Sequence, residues 1–192
     1  MEGLAIFGHH RERLTESAAQ KFPLGSRFVT LDGRVFRYCK NGAVALSRAR
    51  LVQESVIVAG HDRDLAVAVA AAIGATAITL TNATTAITIN EYAEGTLIIN
   101  DVDGEGQICA VKSHPAEATG TGSVVITIED EDALLVALTI SSQCGLRYNP
   151  YKNVLVAPTT VTGIVVGCTP LAVTANYYFW AQTWGSAAAL TN

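Results

Sequence analysis

From Phe22 onward the apolar and polar positions alternate with a period of two, the spacing of a half-buried strand. Arg27-Phe28-Val29-Thr30-Leu31 and Arg34-Val35-Phe36-Arg37-Tyr38 flank Asp32-Gly33. Asp-Gly between two β-favouring runs predicts a hairpin in which both turn positions take φ > 0. Asn41-Gly42 predicts a second turn, and residues 51–59 a further strand. Residues 66–72 are rich in Ala, the best helix former. Val67 and Val69 alternate with Ala there, however, so a strand is expected. Ala77-Ile78-Thr79-Leu80-Thr81 alternates cleanly. Ala86-Ile87-Thr88-Ile89 and Thr96-Leu97-Ile98-Ile99 follow, and residues 108–112, 124–128 and 134–140 complete a series of predicted strands. Thr119-Gly120-Thr121-Gly122-Ser123 reads as a loop. Strands recurring about every 8–12 residues, with turn residues between them, predict an all-β chain. Its strands are short and antiparallel, in a sandwich or a barrel. No helix-length periodic segment interrupts them, which excludes a βαβ architecture.

The two ends depart from this pattern. Residues 11–21 have a thin apolar side, Leu14, Ala18 and Ala19, and predict an extended arm or a short peripheral helix. The C-terminal part holds the densest aromatic run, Tyr177-Tyr178-Phe179-Trp180-Ala181-Gln182-Thr183-Trp184. Read as a strand, it points Tyr177, Phe179 and Ala181 one way and Tyr178, Trp180 and Gln182 the other. Large rings on both faces imply a strand buried on both sides or one that covers an interface. The expected organisation is an arm at 1–21, a β-domain from 22–62 plus 145–192, and an inserted or adjacent β-rich module at 63–144.

Composition narrows the function classes. At 192 residues the chain buries enough surface to need no disulfide or metal staple. Only 16% of residues are charged, against 49% hydrophobic, where about 25% charged is usual for soluble domains. Part of the surface is then either neutral polar or covered by another protein. A net charge of −4 with scattered bases argues against nucleic acid, which requires phosphate neutralisation. The longest apolar run, residues 65–73, is too short to span a bilayer, and the N-terminus lacks the pattern of a signal peptide. Synthesis in a cytosol is therefore expected. Cys39, Cys109, Cys144 and Cys168 are widely spaced, which predicts free thiols used as small apolar residues.

No constellation makes an enzyme. Asp101, Asp103 and Glu105 resemble the start of a calcium loop, but glycine comes at the fourth position and Lys112 at the twelfth, where an EF-hand has Glu. A tight acidic turn is the better reading, with weak surface calcium as the alternative. Glu129-Asp130-Glu131-Asp132 reads as a solvated acidic loop, able to meet a basic patch on a partner. His9, His10, His61 and His114 show no zinc-hydrolase spacing, and no nucleophile elbow, P-loop or dinucleotide fingerprint is present. Neither a cofactor nor a metal is expected.

Three stretches carry a resemblance. Phe22-Pro23-Leu24-Gly25-Ser26-Arg27-Phe28 with Asp32-Gly33-Arg34-Val35-Phe36-Arg37-Tyr38 is the first. Asn100-Asp101 through Gly104-Glu105-Gly106-Gln107 is the second. The third is Asn149-Pro150-Tyr151 with Ala157-Pro158-Thr159-Thr160, then residues 172–180. In this order they resemble a head accessory protein of tailed bacteriophages, similar to capsid decoration or cement proteins. The resemblance covers most of the chain from Phe22 and implies a β-rich virion protein on the capsid exterior. Such a protein binds the major capsid protein and its own copies, as a homotrimer, and stabilises the shell. Cementing relies on many weak contacts multiplied over a lattice. The residues assigned to such contacts are Arg11 and Arg13 in the arm and Tyr177, Tyr178, Trp180 and Trp184 at the C-terminus. The alternative expectation is a carbohydrate-binding or adhesive β-domain in which Tyr177, Trp180 and Trp184 stack on sugars.

Overall fold

The computed structural model describes residues 6–7, 10–82, 85–118 and 122–190. The chain is all-β and divides into two compact units, one from 1–56 and 150–192, the other from 57–149.

The second unit is a closed barrel. Its strands are β5 (Leu65–Val69), β6 (Ala77–Thr81), β7 (Thr96–Asp101), β8 (Ile108–Ser113), β9 (Ser123–Ile128) and β10 (Gln143–Arg147). They close in the order β10-β5-β6-β9-β8-β7, every pair antiparallel. Alternation decides what goes inside. Ile78 and Leu80 of β6 point inward with Val124, Ile126 and Ile128 of β9, while the threonines between them stay at the surface. Leu97, Ile99, Cys109, Val111, Cys144 and Leu146 complete the filling. Six strands leave an interior just large enough for side chains, so the barrel is a packed core and has no edges to protect. Gly145 on β10 is fixed by a close approach: a Cβ there would lie 2.2 Å from the Asp62 carbonyl oxygen.

The first unit is an open seven-stranded sheet. It holds β1 (Ile6–Phe7), β2 (Arg27–Val29), β3 (Val35–Lys40), β4 (Leu51–Gln53), β11 (Leu155–Val156), β12 (Val165–Cys168) and β13 (Tyr178–Trp184). The order is β1-β2-β3-β13-β12-β4-β11, with β1 and β2 parallel. Both edge strands have two residues, a length that offers little template for pairing with another chain. Central β13 is covered on both faces. Phe179 and Ala181 pack with Cys39, Val52 and Val166 on one side. Trp180 packs with Phe28, Phe36 and Tyr38 on the other.

Within the arm, Glu12–Leu14 form a short 3-10 turn, and Ser17 exchanges backbone hydrogen bonds of 2.9 and 2.8 Å with Tyr178. His9 lies outside the described residues, as does the loop at 119–121.

Several local expectations are corrected. The Asp32-Gly33 hairpin is not a two-residue turn. Only Gly33 has positive φ (80°), the Gly33 N–H donates to the Thr30 carbonyl, and the Thr30 N–H donates to the Arg34 carbonyl. This is a three-residue loop with a left-handed glycine. Asp32 directs it: its carboxylate accepts from Thr30 Oγ1 at 2.5 Å and from Arg34 Nε at 2.7 Å. The Arg34 guanidinium and the Thr30 hydroxyl hold the Asp32 carboxyl well below its usual range.

Asn41-Gly42 is not a surface turn either. Asn41 is buried, and its Nδ2 donates to the Val44 and Thr174 carbonyls at 3.0 Å each. Residues 51–59 shrink to the three residues of β4. Residues 86–89 form no strand, because the Glu91 carboxylate captures the Thr88 N–H (2.7 Å) and hydroxyl (3.1 Å) and starts a turn. Residues 134–140 form none because Gln107 Oε1 accepts the Leu135 and Val136 N–H groups in place of a neighbouring strand. A single bridge, Ala71 to Leu138, remains there. Tyr177 precedes β13, its N–H closing a turn onto the Thr174 carbonyl.

Candidate functional site

The aromatic C-terminal strand separates its residues by depth. Trp180 is buried, with ring centroids 4.9 Å from Tyr38, 5.3 Å from Phe28 and 5.4 Å from Phe22. Its ring belongs to the core and offers no contact face. Tyr178 is half-buried, stacked on Tyr38 with the rings 11° apart, and Lys40 Nζ sits 5.9 Å from its ring centre. Tyr177 is half-buried against the cluster that holds Phe179. Trp184 alone of these is open, at 72% exposure. It stands at the lip of a groove of about 500 Å³ lined by Leu51, Ile164, Val165, Gly167 and Tyr151. Arg11 is exposed beside the 3-10 turn, and Arg13 is half-buried at the wall of a separate cavity with Arg34 and Arg48. The structure thus places the six predicted contact residues at different depths rather than on one patch.

The barrel carries a buried polar network that the sequence did not disclose. His61 is fully buried. Its Nε2 lies 3.0 Å from the Thr85 carbonyl, which can only accept, so Nε2 carries a hydrogen. Nδ1 lies 2.7 Å from the Tyr92 hydroxyl and receives its hydrogen. Burial raises the Tyr92 phenol, helped by Tyr148 and Glu91 nearby, and keeps it protonated. The Tyr92 backbone N–H donates to His114 Nε2 at 2.9 Å, which puts the imidazole hydrogen on Nδ1, 2.9 Å from the Pro115 carbonyl. Tyr148 stacks on Tyr92 and donates to Glu91 Oε1 at 2.5 Å. Asn82 Nδ2 reaches the Thr85 carbonyl at 2.7 Å and also the Glu117 carboxylate. These groups converge, yet both imidazoles are buried and both are hydrogen-bonded through each ring nitrogen. The arrangement orients loops at one end of the barrel and leaves neither histidine open to a substrate. Asp62, next to His61 in sequence, lies 3.5 Å from Arg63 Nε.

The acidic stretches serve local structure. Asp101 Oδ1 accepts the Val102 N–H at 2.9 Å, and Asp103 accepts from the Thr139 hydroxyl at 2.9 Å. They belong to the turn between β7 and β8, where Val102, Gly104 and Gly106 take positive φ. Asp132 accepts the Ala110 N–H at 2.7 Å, and Asp130 lies 3.2 Å from Lys112 Nζ. Among the described residues no group of three or more His, Cys, Asp or Glu side chains is placed to hold a metal. All four cysteines are buried and unpaired. Desolvation raises every thiol, that of Cys144 to about 12, which makes them poor nucleophiles.

The most conspicuous exposed feature lies along one side of the barrel. The Ala71 and Leu138 backbones exchange hydrogen bonds of 3.0 and 2.8 Å, and the Gly74 N–H donates to the Leu134 carbonyl at 2.7 Å. This antiparallel pairing puts Ile73 opposite Val136 in register and Val69 opposite Ile140, on either side of Ala71 and Leu138. Leu135 is 80% exposed, Ile73 70% and Ile140 68%. Alternation alone hides this row, because residues 134–140 look like one more strand with a buried face.

No family model matches this chain, and neither a curated protein nor a solved structure shows significant similarity to it.

Proposed function

We propose that this chain is a structural protein of a tailed-phage head that binds the outside of the capsid, self-associates as a homotrimer and stabilises the major capsid protein lattice. The reading rests on the resemblance of the three stretches quoted above. The exposed apolar residues Val69, Ile73, Leu135, Val136 and Ile140, carried on two paired backbone segments, support it, because exposed apolar surface suits a place that another protein covers. A charged fraction of 16% fits a chain completed by its neighbours. The test is binding of the purified protein to expanded capsids lacking it, read as copies per particle. Leu135→Asp with Ile73→Asp should lower occupancy at least tenfold while the fold is retained. A protein that never sediments with capsids, and is absent from purified particles, refutes the proposal.

One observation favours a second reading. Trp184 stands open beside a groove of about 500 Å³, the arrangement with which an aromatic ring stacks on a sugar. Trp180, buried, contributes nothing to such a site. Loss of glycan binding in Trp184→Ala, with capsid occupancy intact, would favour the adhesive reading.

A further inference from the structure

A cavity of about 180 Å³ in the sheet unit is walled by Arg13 of the 3-10 turn, Arg34 after the β2–β3 loop and Arg48 before β4. Thr169, Gln182 and Ser186 supply further polar wall, and among the described residues no carboxylate lines it. The charge is poorly balanced. Arg34 is paired with Asp32 at 2.7 Å. Neither Arg13 nor Arg48 makes an ion pair among the described residues. The Arg13 Nε is buried and has no hydrogen-bond partner among the described residues. A buried charged donor left unmatched is costly, so the arginines around this cavity carry positive charge that the described residues do not neutralise.

The neighbouring backbone is held firmly. Gln182 Nε2 donates to the carbonyls of Trp184, Gly185 and Ser186 at 3.2, 3.2 and 2.9 Å. The Leu190 N–H donates to the Ala49 carbonyl at 2.7 Å, and Cys168 Sγ reaches the Ala188 carbonyl at 3.2 Å. Ala49 itself takes φ 62°, a left-handed conformation uncommon for alanine, beside Arg48. The 186–190 segment is thereby tied down as one wall, so the cavity does not depend on a loose tail.

We infer that this cavity binds one small oxyanion, a phosphate or a carboxylate group, between the guanidinium groups of Arg13 and Arg48. Guanidinium forks match the geometry of both anions with two parallel hydrogen bonds, and Arg13 and Arg48 both line the cavity. The volume suits a single group of this size and not a nucleotide. The site is independent of the capsid proposal and stands or falls separately.

The experiment is a titration of the full chain with sodium phosphate, and in a second arm with sodium acetate, at constant ionic strength. It is followed by melting temperature and by calorimetry. Saturable binding with one site per chain is expected in at least one arm, and the arms show which anion is preferred. Arg48→Ala and Arg13→Ala should each weaken binding at least tenfold. Arg48→Lys should recover part of it, and Arg27→Ala, outside the cavity, should change nothing. If Arg13→Ala fails to fold, Arg48→Ala decides, because Arg48 is exposed and makes no ion pair among the described residues. No saturable binding, or equal binding by wild type and Arg48→Ala, overturns the inference.

Discussion

The barrel and the sheet solve the same problem with different means. The barrel is built from one continuous stretch, 57–149, and closes on itself. Its interior is filled by alternating aliphatic residues, with rings where Tyr92 meets His61, His114 and Tyr148. The sheet is assembled from two distant stretches and stays open, so it has two faces to cover and two edges to blunt. It covers one face with rings, Phe28, Phe36, Tyr38 and Trp180, and keeps its edge strands two residues long. Closure removes edges but leaves the barrel an outer surface, and there the apolar row from Val69 to Ile140 is exposed. An open sheet concentrates stability in a few large side chains, while a filled barrel spreads it over many small ones.

That contrast predicts a graded series of effects. Trp180→Ala should be the most damaging, at about 3–5 kcal/mol, because it removes a large buried ring from the sheet's aromatic face. Hydrogen exchange should show protection lost chiefly in β2, β3 and β13. Equal loss in β6 and β9 would contradict the contrast. Tyr92→Phe should cost about 1–3 kcal/mol in denaturant unfolding, because the buried His61 Nδ1 loses its donor while the ring stays packed.

A pH effect should come next. Burial raises the Tyr92 and Tyr148 phenols above 10, the usual value, so the folded barrel keeps both protonated. Their contribution is fully present below pH 10, where the unfolded tyrosines also hold their protons. It decays as pH climbs from 10 towards the folded values, since only the unfolded chain then ionises. Melting temperatures measured between pH 8 and 11 should fall less steeply in a Tyr92→Phe, Tyr148→Phe double variant than in wild type. Smallest of all is Trp184→Ala, which should shift stability by less than about 0.5 kcal/mol, as for an exposed site, in the same denaturation assay.

The barrel strands were readable because burial on one face imposes a period of two. Ala77-Ile78-Thr79-Leu80-Thr81 needs nothing more than that rule to become β6. The rule misled where side chains replaced the ladder. Glu91 takes the Thr88 N–H and Gln107 takes those of Leu135 and Val136, and neither substitution leaves a mark on hydrophobic spacing. The aromatic strand was partly legible. Its two-faced burial follows from rings at successive positions, but the depth of Trp180 against the openness of Trp184 does not.

What the sequence decided was the all-β class, most of the inward-facing residues and the buried state of the thiols, because each follows from local alternation and from the low solubility of apolar side chains in water. What only tertiary structure decided was which distant residues meet. His61, Tyr92 and His114 lie far apart along the chain, as do Arg13, Arg34 and Arg48. Their hydrogen bonds and their shared cavity exist only once the strands are registered, since a polar side chain's partner is set by where the backbone brings it and by no periodicity of its own.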